Sequence, residues 1–473
     1  MPPKAIIVAG GGPYEGNHLW EAVERLTEQA YRTLYYRGFT KSNIRLLTFG
    51  TPPDFDKNVI SDERYADPSC ARIQQAITTW AAGATDVVIY LCTHGGNDSL
   101  LINGTVSPCQ SLDAASLDSW LDALQQKISG KIIVVIDSCF SGSFVDNLVA
   151  PSGAANRIII CGTGDSQFGY FINHGSISFS GFFWPRILKG DSLWTAFKKA
   201  KAAIGFTCTQ TAVLNDNGNM IGNEAGDGTI CASTYVDAGS IQQLPASAQK
   251  VIFVAGAQAS SPSGNDPTTA IIKHVAGLAY HVLKSRGYSD ANIKMLGPSG
   301  LPGYDSPATL ANLQSAIQSW IPGAANALIY LVGHGAAGSF KLNASENLTP
   351  ATLKSYLDSL QASYEGKVGV VIDSPFAGSF LPALSPPPAG KTRIVVTSTD
   401  AFNTANFACS GDLSFSQQFW AEVLDDDSLR EAFLAAKNAV RYAYLTQIPV
   451  LDDDGDGIGN EKIDGEAARN FMV

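Results

Sequence analysis

The sequence predicts an α/β protein built from two consecutive domains, each a mainly parallel β-sheet sandwiched by helices. Three observations support this fold class: 473 residues suffice for two domains of ordinary size, apolar runs alternate with helical patterns, and one series of motifs occurs twice. Alternation of strands and helices is typical of open parallel sheets with helices on both faces. The predicted domains are residues 1–240 and 250–473, and the polar stretch at residues 240–249 joins them.

Five runs in the first half have the continuous apolar or β-branched character of strands that are buried on both faces. They cover residues 6–8, 44–47, 87–91, 132–136 and 157–161. Helical patterns lie between and after these runs, at residues 19–37, 70–81, 112–127 and 192–204. Gly38, Gly83 and Gly130 stand where helices are expected to end.

Five sequence blocks of the first half recur in the second half in the same order, 236 to 246 residues further along the chain. KAIIVAG recurs as KVIFVAG, and VVIYLCTHGG recurs as ALIYLVGHGA. The other pairs are KIIVVIDSCFSGSF with KVGVVIDSPFAGSF, ISFSGFFWPRILKGDSL with LSFSQQFWAEVLDDDSL, and LNDNGNMIGNE with LDDDGDGIGNE. We interpret this pattern as a domain duplication, because the period is far too long for a solenoid repeat.

Composition and charge argue against several classes of partner. The formal charge is −11, from 32 basic and 43 acidic residues, and no Lys/Arg cluster offers a surface for phosphates, so nucleic acid is not expected. No apolar run approaches the roughly 20 residues that span a bilayer, so no membrane association is expected. The first apolar run is too short for a secretion signal; we expect a cytoplasmic protein, or a secreted one if a signal peptide has been removed.

The eight cysteines do not form a metal-binding or disulfide pattern. None belongs to a CxxC pair, which argues against a zinc site. Cys92 and Cys161 lie in or beside apolar runs and fit the role of small buried side chains. A disulfide between Cys208 and Cys231 stays open as an alternative, although a large core does not need one.

Two predicted strands end in reactive side chains. His94 follows the run at residues 87–91, and Cys139 follows the run at residues 132–136. If these strands are neighbours, the two side chains converge on one edge of the sheet, where chemistry gathers in parallel α/β folds. A nearby imidazole can generate the nucleophilic thiolate and later protonate a leaving amine. The backbone N–H groups of Gly95 and Cys139 are the expected donors to an oxyanion.

These two strand ends resemble those of the clan of cysteine peptidases that contains caspases, metacaspases and legumains. Asp137-Ser138-Cys139 is nearest to metacaspases, whereas AIIVAGGGPYEGNHLWEAVERLTEQAYRTLYYRGF is similar to the start of legumain. The resemblance covers residues 4–205 and again 250–445. It implies two tandem caspase-like domains and a cysteine endopeptidase in which His94 and Cys139 form the catalytic dyad.

The resemblance also implies a substrate cleft. His18 matches a cleft position of legumain, and Phe179 and Ser180 resemble the Tyr-Ser strand that lines its cleft. In this clan an acidic residue two positions before the nucleophile lines the first specificity pocket, so Asp137 is expected to favour Arg or Lys at the cleaved position. Asn17 stands where legumain has an arginine, which argues against a preference for asparagine.

The second copy lacks the nucleophile, because Pro375 stands at the position of Cys139. His334 and Asp373 remain, and retention of the aspartate suggests a structural role for Asp137 as well. We expect a pseudo-peptidase domain that pairs with the first domain within the chain. The expected partner is a peptide or protein substrate, and peptide ligation, as in some legumain relatives, is a further activity of the same chemistry.

Two other hypotheses about the function stay open. One is a non-catalytic caspase-like scaffold or binding protein in which both copies are inert. The other is a nucleotide-binding α/β protein, which GGGP after the first strand favours only weakly, because GxGxxG and a P-loop lysine are missing.

The acidic loop LDDDGDGIGNE has oxygen-bearing side chains at alternate positions, a pattern by which short loops wrap Ca²⁺. Ile463 occupies the twelfth position, where an EF-hand has glutamate, so the loop is not a standard EF-hand. The counterpart in the first copy, LNDNGNMIGNE, carries less charge and predicts weaker affinity for Ca²⁺. The reaction itself needs no cofactor, and the predicted metal ligands are Asp452, Asp454, Asp456 and Asn460.

Overall fold

The computed structural model describes the chain apart from Met1 and residues 52, 56, 58–59, 155–156, 243 and 257–266. The chain divides into two compact units, Met1–Gln242 and Gln243–Val473. Each unit has a seven-stranded sheet and a separate three-stranded sheet. The predicted α/β class is confirmed, with mainly parallel sheets flanked by helices.

The first unit contains ten strands and five helices among its described residues. The strands are β1 Lys4–Ala9, β2 Ile44–Leu47, β3 Arg64–Ala66, β4 Val87–Cys92, β5 Gly95–Gly96, β6 Ser99–Asn103, β7 Gln110–Asp113, β8 Ile132–Asp137, β9 Arg157–Cys161 and β10 Val213–Asn215. The helices are α1 Trp20–Tyr36, α2 Cys70–Gln75, α3 Ala114–Gln125, α4 Phe179–Leu188 and α5 Leu193–Thr207. A π-helical turn, Ala76–Trp80, continues α2, and short 3₁₀ turns cover Lys41–Asn43, Ser141–Phe144 and Cys231–Ser233.

The large sheet of the first unit has the strand order β10-β9-β8-β4-β1-β2-β3. All neighbours are parallel except β10, which is antiparallel to β9. Alternate residues of β4 face opposite layers: Ile89 belongs to a core cluster with Ile77 and Leu117, whereas the rings of Tyr90 and Trp184 are 5.0 Å apart. Helices therefore cover both faces, which explains why the central strands are continuous apolar runs.

The five predicted strands of this unit correspond to β1, β2, β4, β8 and β9, whereas the short strands β3, β5–β7 and β10 were not predicted from the apolar pattern. Helix α4 was also missed, because its sequence FSGFFWPRIL is buried all round and has no amphipathic period. Gly130 does not end a helix, since α3 ends at Gln125. A Cβ at Gly130 would clash with the carbonyl oxygen of Thr85, so close approach of two loops requires glycine there.

The second unit repeats this strand order as β20-β19-β18-β14-β11-β12-β13. Its strands are β11 Lys250–Gly256, β12 Ile293–Leu296, β13 Tyr304–Ser306, β14 Ala327–Gly333, β15 Gly335–Ala336, β16 Ser339–Lys341, β17 Asn347–Leu348, β18 Val368–Asp373, β19 Arg393–Thr397 and β20 Val450–Asp452. Its helices are α6 Pro267–Ser285, α7 Leu310–Ser315, α8 Pro350–Gln361, α9 Leu381–Leu384, α10 Phe415–Leu424, α11 Leu429–Ala443 and α12 Glu466–Arg469. Among the residues described in both units, no helix combines the length and apolar character that crossing a bilayer requires.

Candidate active site

His94 and Cys139 follow two neighbouring strands at the same edge of the first sheet. The last residues of β4 and β8, Cys92 and Asp137, are register partners, and His94 and Cys139 each lie two residues further on. The loop after His94 touches the turn that carries the cysteine, because a Cβ at Gly95 would clash with the carbonyl oxygen of Cys139. The parallel pairing of β4 with β8 therefore brings the loop that carries His94 and the turn that carries Cys139 together at one edge of the sheet.

The thiol of Cys139 is half-buried on a tight turn. The next residue, Phe140, has a φ of 58°, and its N–H donates to the carbonyl oxygen of Gln167 at 2.8 Å. The backbone N–H of Gly169 donates to Sγ of Cys139 at 3.3 Å. A donor directed at the sulfur is placed where it stabilises negative charge on that atom.

The imidazole of His94 is held by Asn17, a residue 77 positions earlier in the chain. Nε2 of His94 and Oδ1 of Asn17 are 2.7 Å apart. The amide of Asn17 is itself fixed, because Nδ2 donates to the carbonyl oxygen of Gly12 at 2.7 Å and Oδ1 accepts from the N–H of Leu19 at 3.1 Å. Since Oδ1 can only accept, Nε2 carries the proton and Nδ1 is the free base of the neutral ring.

Burial lowers the pKa of His94 from its ordinary value. Taking an imidazolium out of water disfavours the charged form, so the ring stays neutral to a lower pH than an exposed histidine does. This protonation state is the one that a general base requires at the start of a reaction.

A buried hydroxyl network holds the turn that presents Cys139. The N–H of Ser141 donates to Oγ1 of Thr163 at 2.9 Å, and the N–H of Thr163 donates to Oγ of Ser141 at 3.0 Å. Oγ1 of Thr163 also donates to the carbonyl oxygen of Ser138 at 3.0 Å. Both hydroxyl-bearing residues are completely buried, so these bonds fix the backbone on either side of the nucleophile.

Asp137 lies beneath this edge and has no exposed surface. Its Oδ2 accepts from the N–H of Ser180 at 2.9 Å, and its Oδ1 has no hydrogen-bond partner among the described residues. Burial raises the pKa of Asp137 to about 6. Its carboxylate packs against the start of α4, and the expectation that Asp137 lines the first specificity pocket stays a prediction.

The prediction that Phe179 and Ser180 form a strand lining the cleft is wrong. They are the first residues of α4, whose N-terminus is capped by Ser178, with Oγ accepting from the N–H of Gly181. Phe179 packs on Phe183 with ring centroids 5.4 Å apart, and Oγ of Ser180 accepts from the hydroxyl of Tyr90, a residue of β4, at 2.8 Å. Both side chains face the core, because the capping serine starts a helix where the resemblance implied an extended segment.

His18, the other predicted substrate-binding residue, is exposed beside Asn17. Its side chain makes no hydrogen bond to the described residues, so the role of His18 in substrate binding stays a prediction. The role of Asn17 was missed, since the sequence offered only its difference from legumain. Cys208 and Cys231 are both free, so the disulfide alternative is not realised.

The second unit has a similar edge without the thiol. Pro375 precedes Phe376, whose φ of 60° matches that of Phe140, and Gly335 contacts the carbonyl of Pro375 as Gly95 contacts that of Cys139. The buried carboxylate of Asp373 accepts from the N–H of Ser416 at 3.1 Å. The counterpart of Asn17 falls within residues 257–266, outside the described part of the chain.

The hydroxyl network is incomplete in the second unit. Ala377 stands at the position of Ser141, and its N–H donates to the carbonyl oxygen of Ser374 at 3.3 Å. Thr399 corresponds to Thr163, but its buried Oγ1 has no partner among the described residues. The support of the nucleophile turn and the nucleophile itself are thus both missing.

The acidic loop after β20 brings carboxylates together. Oxygen atoms of two overlapping groups lie within 4.8 Å of one another, and these are Asp452 with Asp454 and Asp464, and Asp454 with Asp456 and Glu461. Asn460, the fourth predicted ligand, accepts a hydrogen bond at Oδ1 from Nζ of Lys437 at 3.0 Å and stays a prediction. Burial raises the pKa of Asp464 to about 6, and the charge of Asp456 raises the pKa of Glu461.

The first unit has amides where the second has carboxylates. Nδ2 of Asn217 donates to Oε1 of Glu224 at 2.9 Å, and Nδ2 of Asn219 donates to the same oxygen. The corresponding residues of the second unit are Asp454, Asp456 and Glu461. Amide donors hydrogen-bond the glutamate in the first loop, whereas three carboxylates lie together in the second loop, a set of oxygen ligands of the kind that binds Ca²⁺.

One family model matches part of the first unit. Residues 50–154 match the family model of the Peptidase C13 family. The matched segment contains both His94 and Cys139 and agrees with the resemblance to legumain. This match to the Peptidase C13 family supports a cysteine peptidase activity, with protein or peptide substrates.

The other comparisons add less. The crystal structure of caspase-1 from Spodoptera frugiperda is similar over 46% of this chain and 88% of that chain, with 13% sequence identity and a TM-score of 0.32. No curated protein matches the sequence.

Proposed function

We propose that the first unit is a cysteine endopeptidase that uses Cys139 as nucleophile and His94 as general acid and base. The observation that carries the proposal is the contact between the loop after His94 and the turn of Cys139, which follow paired residues of adjacent strands. The half-buried state of the thiol leaves part of it accessible to a substrate.

The reaction proceeds through a thioester. His94 takes the proton of the thiol at Nδ1, and the sulfur attacks the scissile carbonyl carbon, whose oxygen becomes an oxyanion near the N–H groups of Gly95 and Cys139. The imidazolium then gives its proton to the leaving amine, and the C–N bond breaks. Water, deprotonated by His94, hydrolyses the thioester and restores the thiol; attack by a second amine would instead ligate two peptides.

A non-catalytic scaffold is the alternative, and covalent labelling separates the two. A peptide acyloxymethyl ketone should modify Cys139 in the full chain and leave the other seven cysteines unmodified. Mass spectrometry of tryptic fragments identifies the labelled residue. Absence of labelling, with and without Ca²⁺, would favour the scaffold.

We propose that the second unit is a pseudo-peptidase. Pro375 offers no nucleophilic atom, and the turn that carries it lacks the hydroxyl network of the first unit. His334 therefore has no thiol to activate.

We propose cleavage after Arg or Lys, supported by the buried Asp137 carboxylate, whose Oδ1 has no hydrogen-bond partner among the described residues. A cationic substrate side chain would compensate its charge, so kcat/KM for Arg peptides should exceed that for matched Asn peptides by about tenfold or more at pH 7.5. The preference should weaken below pH 6, because the pKa of Asp137 is about 6 and its protonated form has no charge.

Asp137→Asn should bring the ratio of kcat/KM for Arg peptides to kcat/KM for Asn peptides close to 1. Asp373→Asn is the matched control, because Asp373 has the same burial and the equivalent contact to Ser416 in the unit without a nucleophile. Fluorogenic peptides with Arg, Lys, Asn and Asp at the cleaved position measure the ratio. Equal rates for Arg and Asn peptides in the unmodified protein would rule out the basic preference.

We also propose that the acidic loop of the second unit binds Ca²⁺ through Asp452, Asp454, Asp456, Glu461 and Asp464. At a free Ca²⁺ concentration of 100 times Kd, binding should stabilise the folded unit by about 2.7 kcal/mol and raise its unfolding temperature by several degrees. Calorimetry in Ca²⁺ and in chelator measures the difference.

The double variant Asp454→Asn with Asp456→Asn reproduces Asn217 and Asn219 of the first unit. We expect it to lose the calcium-dependent shift, because amide hydrogens replace the cation as partners of Glu461. An equal unfolding temperature of the unmodified protein in Ca²⁺ and in chelator would exclude the site.

A further inference from the structure

Three aromatic residues lie on the two chain segments that hold Cys139. Phe140 follows the nucleophile directly, and its ring packs edge-to-face on Phe168 with centroids 5.1 Å apart. Phe168 and Tyr170 flank Gly169, the residue whose N–H donates to Sγ. The turn of the nucleophile and the segment whose N–H contacts its sulfur therefore both carry aromatic residues.

Two of these rings are unusually accessible. Phe168 is 65% exposed and Tyr170 is 38% exposed, so much of their apolar surface faces solvent. The backbone that carries them is fixed, because the N–H of Tyr170 donates to Oε1 of Gln210 at 2.9 Å and Nε2 of Gln210 donates to the carbonyl oxygen of Gly162 at 2.7 Å. A rigid backbone that presents exposed aromatic rings is suited to binding an apolar group.

The second unit provides an internal comparison, because the same backbone contacts align its residues one by one. The N–H of Phe376 donates to the carbonyl of Asn403 as that of Phe140 donates to Gln167, and Asn406 is bonded to Gln447 as Tyr170 is bonded to Gln210. Thr404 and Asn406 therefore stand at the positions of Phe168 and Tyr170. Both units have these backbone hydrogen bonds. The exposed aromatic pair is present at these positions in the unit that carries Cys139 and is replaced by Thr404 and Asn406 in the other.

We propose that Phe168 and Tyr170 bind a large apolar side chain of the substrate at a position next to the cleaved bond. The site thus selects peptides that carry an aromatic or long aliphatic residue there. This inference rests on the proposed peptidase function and adds a substrate class to it. Apolar contact with two exposed rings is worth about tenfold or more in kcat/KM, since pocket contacts with apolar groups typically discriminate by 10- to 200-fold.

The test uses the full chain and fluorescence-quenched peptides that share one cleaved residue. The two positions that precede the cleaved residue and the two that follow the scissile bond are occupied in turn by Phe, Leu or Ser. At one of these positions, the Phe or Leu peptide should be cleaved with a kcat/KM about tenfold above that of the Ser peptide. The variant Phe168→Thr with Tyr170→Asn, which reproduces the second unit, should bring this ratio close to 1.

Phe402→Thr is the control, because Phe402 is an exposed phenylalanine, 84% accessible, in the unit without a nucleophile. It should leave the ratio unchanged. A ratio near 1 at every position in the unmodified protein, or a ratio that survives the double variant, would overturn the inference while leaving the peptidase proposal intact. Failure to cleave any of the peptides would refute the peptidase proposal and this inference together.

Discussion

Cys139→Ala should lower peptide hydrolysis by the full chain by about 10⁴-fold or more, to the background rate. The change removes the sulfur that forms the thioester in the proposed mechanism, and His94 then has no thiol to deprotonate. Stability should fall by about 1 kcal/mol or less, because the half-buried side chain loses little beyond the contact of Sγ with the N–H of Gly169.

Steady-state kinetics with fluorogenic peptides measure the loss, and circular dichroism checks the fold. Cys109→Ala is the matched control: Cys109 is the exposed cysteine of the same unit, and its replacement should leave kcat/KM unchanged. Full activity in the Cys139→Ala variant would place the nucleophile elsewhere.

His94→Ala should lower kcat by about 10²- to 10⁴-fold, because proton transfer to and from the reacting groups is lost. His334→Ala makes the same change at the corresponding edge of the second unit and should have no effect on kcat. Asn17→Ala should lower kcat by a smaller factor, about tenfold, since it removes the acceptor that fixes the ring of His94 but keeps the imidazole.

The pH dependence gives a second readout for the histidine. In the unmodified protein kcat/KM should fall on the acidic side, as protonation of His94 removes the base. Because burial lowers the pKa of His94, the midpoint of this fall should lie below about 6.5, the value of an exposed histidine. An acidic limb with its midpoint above that value would contradict the role of neutral His94 as base.

The sequence predicted the two strands that deliver His94 and Cys139, because both are continuous apolar runs that end in a polar residue. Burial on both faces of a parallel sheet produces such runs, and the parallel order brings their ends to one edge. The prediction rests on the apolar runs alone. It therefore gives the position of the two loops but not the side-chain contacts within the site.

The residues that were missed depend on contacts between distant segments. Asn17 bonds His94 across 77 positions, and Ser141 bonds Thr163 across 22 positions. No local period or composition marks such pairs. The same limit explains one error: the resemblance placed Ser180 in a strand, whereas Ser178 begins a helix.

The difference between Ser141 and Ala377 affects how many substitutions the second unit would need for peptidase activity. Installing a thiol by Pro375→Cys would supply a sulfur atom on a turn whose flanking backbone is tied differently, with Thr399 still lacking a partner. This substitution alone therefore does not reproduce the arrangement around Cys139. An active second unit would also need Ala377→Ser. We therefore expect the Pro375→Cys variant of the second unit to show no peptidase activity.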